Sequence, residues 1–97
     1  MPTYITLLKW TDQGIKNIKQ GPQRLDAAKQ AIQQAGGNMR QFFLVLGGYD
    51  AVSISELPDD ETYARFILAT AAQGNVSTTT LKAFTEDECR RIVGSLP

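Results

Sequence analysis

Histidine is absent from this chain, and cysteine occurs once, at Cys89. Without histidine the commonest acid–base side chain and metal ligand is missing, so histidine-based triads, zinc sites and proximal-histidine haem ligation are excluded within the chain. A lone cysteine forms no internal disulfide. An excess of either charge is also missing: ten Lys plus Arg balance ten Asp plus Glu, and no run of five or six like charges occurs. No overall field gathers nucleic acid, so DNA or RNA is not an expected partner. No stretch approaches the roughly 18 apolar residues of a membrane span. The opening MPTYITLLKW has neither a basic leader before its apolar run nor a cleavage pattern after it. The expectation is a soluble cytoplasmic protein with no metal, cofactor or membrane, built as one domain over residues 1–97. A domain of this size buries roughly two-thirds of the surface its unfolded chain exposes, which leaves a modest core.

What is present is a regular alternation of strand and helix patterns. TYITLLKW, residues 3–10, is rich in β-branched and aromatic side chains and predicts a first strand. Thr11 or Asp12 then caps a helical pattern carried by Ile15, Ile18, Leu25, Ala28, Ile32 and Ala35 up to Gly36-Gly37. Gly21-Pro22 interrupts it, which predicts a short helix and then a main one from near Pro22, or a single kinked helix. QFFLVLG, residues 41–47, predicts a second strand, GGYD turns the chain, and AVSISE, residues 51–56, alternates as a third.

Pro58-Asp59-Asp60-Glu61 places carboxylates where a helix N-terminus favours them, and Tyr63, Ala64, Ile67, Leu68 and Ala71 supply that helix's apolar stripe up to Gly74. VSTTTLKAF, residues 76–84, predicts a fourth strand. Thr85-x-x-Glu88 forms a capping box that opens a final helix, with Phe84 and Cys89 spaced as a hydrophobic staple. The staple is a structural role for Cys89, which has no histidine partner to generate a thiolate.

The order β-α-β-β-α-β with a trailing helix predicts an α+β, ferredoxin-like fold, in which two helices cover one face of a four-stranded antiparallel sheet. The other face should then be polar. Strand one instead carries Ile5 and Leu7 on one side and Tyr4, Leu8 and Trp10 on the other, and strand two carries Phe43 and Val45 against Phe42, Leu44 and Leu46. Apolar residues on both faces imply a cover for the second one, most economically a second copy packed sheet to sheet. The expected partner is therefore a homodimer mate, with Ser53, Ser55, Ser77 and Thr79 offering polar atoms to a cavity inside the dimer.

The strand directions bring the end of strand one, the hairpin Gly47 to Asp50 and the start of strand four to one edge. At this point the chain resembles the GYD-domain family, through Gly48-Tyr49-Asp50, TYITLLKWTDQGIKNIK, PDDE and GNVSTTTLKAFTEDE, which together span nearly its whole length. The resemblance implies a dimeric α+β barrel of ferredoxin-like protomers. It implies no particular activity, since that superfamily includes cofactor-free monooxygenases, isomerases, haem proteins and regulatory domains.

The edge supplies the candidate ligand-binding residues: Lys9, Trp10, Thr11, Tyr49, Asp50 and Asn75. A helix N-terminus and Lys9 favour an anion, the rings stack on a planar molecule, Asp50 becomes a base if desolvated, and Tyr49 can donate to an oxyanion. Each also has a plain structural reading, as turn closure for Asp50 and Asn75 and packing for Trp10. Three functions remain open on these residues. The first is a homodimer that binds or senses a small molecule at the sheet edge or in the dimer cavity. The second is a cofactor-independent monooxygenase-like or isomerase-like enzyme, and the third a structural oligomerisation module.

Overall fold

A computed structural model describes all residues from Met1 to Pro97. Strand β1 (Thr3–Trp10) is followed by a short helix α1 (Asp12–Lys16), a 3₁₀ turn (Ile18–Gln20) and the main helix α2 (Gly21–Gln34). Pro22 sits in the first turn of α2, where its missing N–H costs nothing. The interruption at Gly21-Pro22 therefore divides the segment into two helices. Then come β2 (Asn38–Leu44), β3 (Ala51–Glu56), α3 (Asp60–Ala72), β4 (Val76–Ala83) and α4 (Glu86–Gly94). The sheet is antiparallel throughout, in the order β2-β3-β1-β4. This is the expected α+β arrangement.

The N-terminal caps follow the residues that predicted them. Thr11 accepts from Gly14 N–H, Asp59 from Thr62 N–H, and Thr85 with Glu88 forms a reciprocal capping box. Two details differ from the sequence reading. Strand β2 begins and ends three residues earlier than expected, because the chain re-enters the sheet directly after the turn at Gly36, whose φ is +89°. An irregularity between Met39 and Gln41 then turns Met39 inward. Phe84 and Cys89 both stay exposed, so the expected staple shields neither.

Register assigns every strand residue to a face. Tyr4, Thr6, Leu8 and Trp10 share a face with Ser55, Ser53 and Ala51, and it is this face that meets α2 and α3. Ser53 and Ser55 are buried there. Of the four residues expected to line an intermolecular cavity, Ser53 and Ser55 thus lie under the helices of their own chain, because the alternation of β3 puts Val52 and Ile54 on the opposite side, whereas Ser77 and Thr79 lie on that opposite face with Lys9 and Leu7. That opposite face carries two apolar rows across the sheet, Phe43-Val52-Leu7 and Ile54-Ile5-Leu81. No element of the chain covers them, and Phe43 and Leu81 remain half exposed.

The core lies at one end of the helix-covered face. Tyr4, Ile32, Leu57 and Tyr63 are buried together, with Met39, Phe66 and Ile67 packed against them. The Tyr4 and Tyr63 rings stack with centroids 4.2 Å apart. The Tyr63 hydroxyl shares hydrogen bonds with Thr6 at 2.6 Å and Thr80 at 2.7 Å, and the Tyr4 hydroxyl donates to Asp60 at 2.6 Å. Lys82 donates to the same carboxylate at 2.9 Å.

The remainder is loosely closed. The accessible surface is 6587 Å² against about 5,500 Å² expected for a folded monomer of this mass. The radius of gyration is 14.7 Å, against about 12.5 Å for a compact chain of this length. Helix α4 contributes to both excesses, having no buried residue of its own.

Two measurements check this core. Tyr63→Phe keeps the stacked ring but leaves the buried Thr6 hydroxyl without that partner, and is expected to lower the urea unfolding free energy by about 1–2 kcal/mol. The second concerns pH. The Tyr4 and Lys82 hydrogen bonds hold the Asp60 carboxyl below the usual carboxylate range. Hydrogen bonds from Thr62 do the same for Asp59, and from Thr85 for Glu88. What these groups add to stability is complete above the ordinary carboxylate value and is lost as pH falls through the lower folded values. Burial, then the Asp60 hydrogen bond, pushes the Tyr4 hydroxyl up. Its contribution is complete below the ordinary phenol value and is lost as pH rises past it. The urea midpoint should stay level from about pH 5 to about pH 9 and fall on either side, with a shallower acid limb in Asp60→Asn.

Candidate functional site

The predicted edge forms, and hydrogen bonds join its parts. Asp50 holds the hairpin to β1 at two points: its N–H donates to Leu8 O at 2.8 Å, and its Oδ2 accepts from Trp10 N–H at 3.0 Å. Its carbonyl also accepts from Val45 N–H at 3.0 Å. Gly47, at φ +134°, gives the intervening loop a backbone angle that side chains disfavour. Across β1, Thr11 N–H donates to Asn75 O at 3.0 Å, while the Thr11 hydroxyl donates to Gly74 O at 2.6 Å and accepts from Gly14 N–H. Gln13 donates to Asn75 Oδ1 and Gln73 O. A Cβ on Gly14 would overlap the Asn75 carbonyl, so glycine is required for this approach. Lys9 Nζ lies 5.4 Å from the Tyr49 ring centroid, in cation–π range.

Most polar groups of the edge are thus engaged with one another. The largest space in the molecule lies behind it, between the sheet and helices α2 and α3. This cavity has a volume of about 720 Å³, within the size range of small-molecule sites. Its floor is Thr6, Leu8, Trp10, Ala51 and Ser53, and its walls include Ala27, Ala28 and Ala31 of α2 and Phe66, Ile67 and Thr70 of α3. Small residues face each other across the layer, so helix and sheet leave volume between them. Of the six candidate residues, Trp10 and Asn75 line the cavity, whereas Lys9, Thr11, Tyr49 and Asp50 do not.

The sequence reading missed Arg24. It lines the cavity near Ile18 and Gly21, its Nη1 donates to Asn17 O at 3.0 Å, and its Nη2 is buried without a hydrogen-bond partner. Leaving a buried donor unpaired costs about 1–3 kcal/mol. The second charged residue of the lining, Arg65, is instead paired with Glu61 at 2.6 Å. No cluster of three or more Cys, Asp or Glu side chains is placed to hold a metal ion. No helix is long and apolar enough to cross a membrane.

The family model for the GYD domain matches residues 4–93. The chain belongs to the GYD-domain family. A relative of this GYD protein, 37% identical over 84 residues, is described as a glutamine synthetase and cystathionine beta-lyase binding protein of Thermus thermophilus. The match covers 86% of this chain and 88% of that relative. Among solved structures, the crystal structure of TTHA0845, also from Thermus thermophilus, matches with a TM-score of 0.55 at 24% identity, over 88% of this chain and 95% of that one. At that identity the likeness speaks for the fold.

The Asp of the family's Gly-Tyr-Asp is expected to act through Trp10. Asp50→Ala removes the carboxylate that accepts from the Trp10 N–H and should cost about 1–3 kcal/mol of unfolding free energy. Asp50→Asn keeps an acceptor oxygen and should cost less. The emission maximum of Trp10, the single tryptophan, should shift more in the alanine variant than in the asparagine one.

Proposed function

We propose that this GYD-family chain is a binding protein that pairs with a second copy through its open sheet face and holds a small molecule between its sheet and its helices. The observation that carries the reading is the cavity of about 720 Å³, predominantly apolar and with a few hydroxyl, amide and guanidinium groups. That composition suits ligand binding, in which apolar walls supply affinity and a few polar groups fix orientation. Of the edge residues, Trp10 offers a flat ring and Asn75 an amide at the ligand, while Lys9, Thr11, Tyr49 and Asp50 brace the backbone that presents them.

Pairing is supported by the uncovered apolar rows on the far face and by a surface larger than a monomer of this mass should expose. Two sheets packed face to face bury such rows at about 10 Å separation and give the two-fold symmetric dimer of an α+β barrel. The same association gives α4 a surface to cover. Its apolar residues Cys89, Ile92 and Val93, with Leu96 beyond its end, keep helical spacing and are all exposed.

The relative described as binding glutamine synthetase and cystathionine beta-lyase favours a second reading, in which the bound partner is a protein. Catalysis is less well supported. The edge carboxylate accepts from the Trp10 backbone, and the edge cation sits against the Tyr49 ring.

Native mass spectrometry of protein purified without added ligand separates these readings. A species of twice the 10.7 kDa chain mass carrying a small-molecule adduct is expected. In sedimentation equilibrium, Phe43→Glu combined with Leu81→Glu should convert the dimer to monomer. A wild-type chain that sediments only as monomer overturns the pairing. A dimer without adduct that co-purifies with a larger polypeptide favours the protein-partner reading.

A further inference from the structure

We infer that the cavity's ligand is an apolar molecule with a single carboxylate head, and that Arg24 is the residue that holds the head. The inference rests on the small-molecule reading above and adds the ligand's chemical class. Charge in the lining is one-sided: two arginines and no acidic residue. Arg65 already has a carboxylate, that of Glu61. Arg24 has none, and one of its two terminal nitrogens, Nη2, is buried with no acceptor. A buried guanidinium nitrogen in that state calls for an acceptor from outside the chain, and an anionic oxygen is the strongest one.

The rest of the lining selects the body of the ligand. Around Arg24 stand Ile18 and Leu25, and further along the layer Phe42, Phe66 and Ile67. A hydrocarbon or aromatic body covers these side chains, whereas a polyol would leave its own hydroxyls unpaired among them. The head sits at the α2 N-terminal end of the cavity, where Arg24 Nη1 is already fixed by the Asn17 carbonyl. That bond restrains the guanidinium before any ligand arrives, so less freedom is lost on binding.

Titration of the full chain with decanoate and with decan-1-ol, read by Trp10 emission, tests the inference. Decanoate is expected to bind roughly ten-fold or more tightly than the alcohol, the worth of one charge-assisted hydrogen bond. Arg24→Met keeps an apolar stem while removing the charge. It should bring decanoate down to the alcohol's affinity and leave the alcohol's unchanged, with an unaltered far-ultraviolet circular dichroism spectrum. Arg24→Lys, which keeps the charge, should retain part of the preference and covers the case in which the methionine variant fails to fold. Equal affinities in the wild type overturn the carboxylate assignment while leaving the cavity reading intact. A preference that survives Arg24→Met but disappears in Arg65→Gln moves the head to Arg65 and overturns the role of Arg24. Binding of neither probe overturns this inference and counts against the cavity reading beneath it.

Discussion

The stack of Tyr4 on Tyr63 ties the helix layer of this protein to its sheet. The rings lie 14° from parallel, and the Tyr63 hydroxyl reaches both Thr6 and Thr80, so a single α3 side chain fixes the helix over the β1–β4 pair. The Tyr4 hydroxyl returns the connection to Asp60 in the first turn of the same helix. Ile32 and Leu57 fill the remaining space at that end and are fully buried. Both crossovers close against this one cluster. The Trp10 end of the layer has no equivalent, and there the helices stand away from the sheet.

This asymmetry accounts for the cavity. Toward the Tyr4 end, large side chains meet across the layer. Toward the Trp10 end, α2 presents Ala27, Ala28 and Ala31 over Ala51 and Ser53, and none of these is long enough to bridge the gap. A natural core approaches the packing density of an organic crystal, so a gap of this size in so small a domain is a departure from close packing. Alanine and serine at these positions forgo buried apolar area that a 97-residue chain can ill spare.

Elements whose residues encode their own boundaries are legible from the sequence. Strand β3 spans Ala51–Glu56 as its alternation indicates, and the caps at Thr11 and Thr85 are made by the residues that predicted them. The convergence of Trp10, Asp50 and Asn75 at one edge follows from strand direction alone. Where structure and sequence reading part, the missing information is three-dimensional. A helical alanine has the same period whether it touches a neighbour or faces a void, so the stripe Leu25-Ala28-Ile32-Ala35 reads as ordinary core. Arg24 reads as a solvated surface charge, and only the fold brings it against the Asn17 carbonyl beside Ile18 and Gly21 and buries its Nη2. The serines of β3 fall in a different layer from the expected one because alternation shows that two faces differ without showing which one the helices cover.

The Gly-Tyr-Asp turn changes its meaning in this setting. A carboxylate in a hairpin invites comparison with a general base, yet Asp50 lies within a ladder of backbone bonds and accepts from the N–H of Trp10. At Trp10 the chain leaves the sheet, and its next residue caps α1. Without an acceptor on that N–H, the end of β1 would be held from the β4 side alone. With one, the backbone is held between the hairpin on one side and the β4 turn on the other, and the Trp10 ring is set into the cavity wall. Gly14 and Thr11 serve the same end from across the strand, since the close approach to Asn75 is open only to glycine. The motif residues are therefore better understood as the frame of the cavity than as its lining.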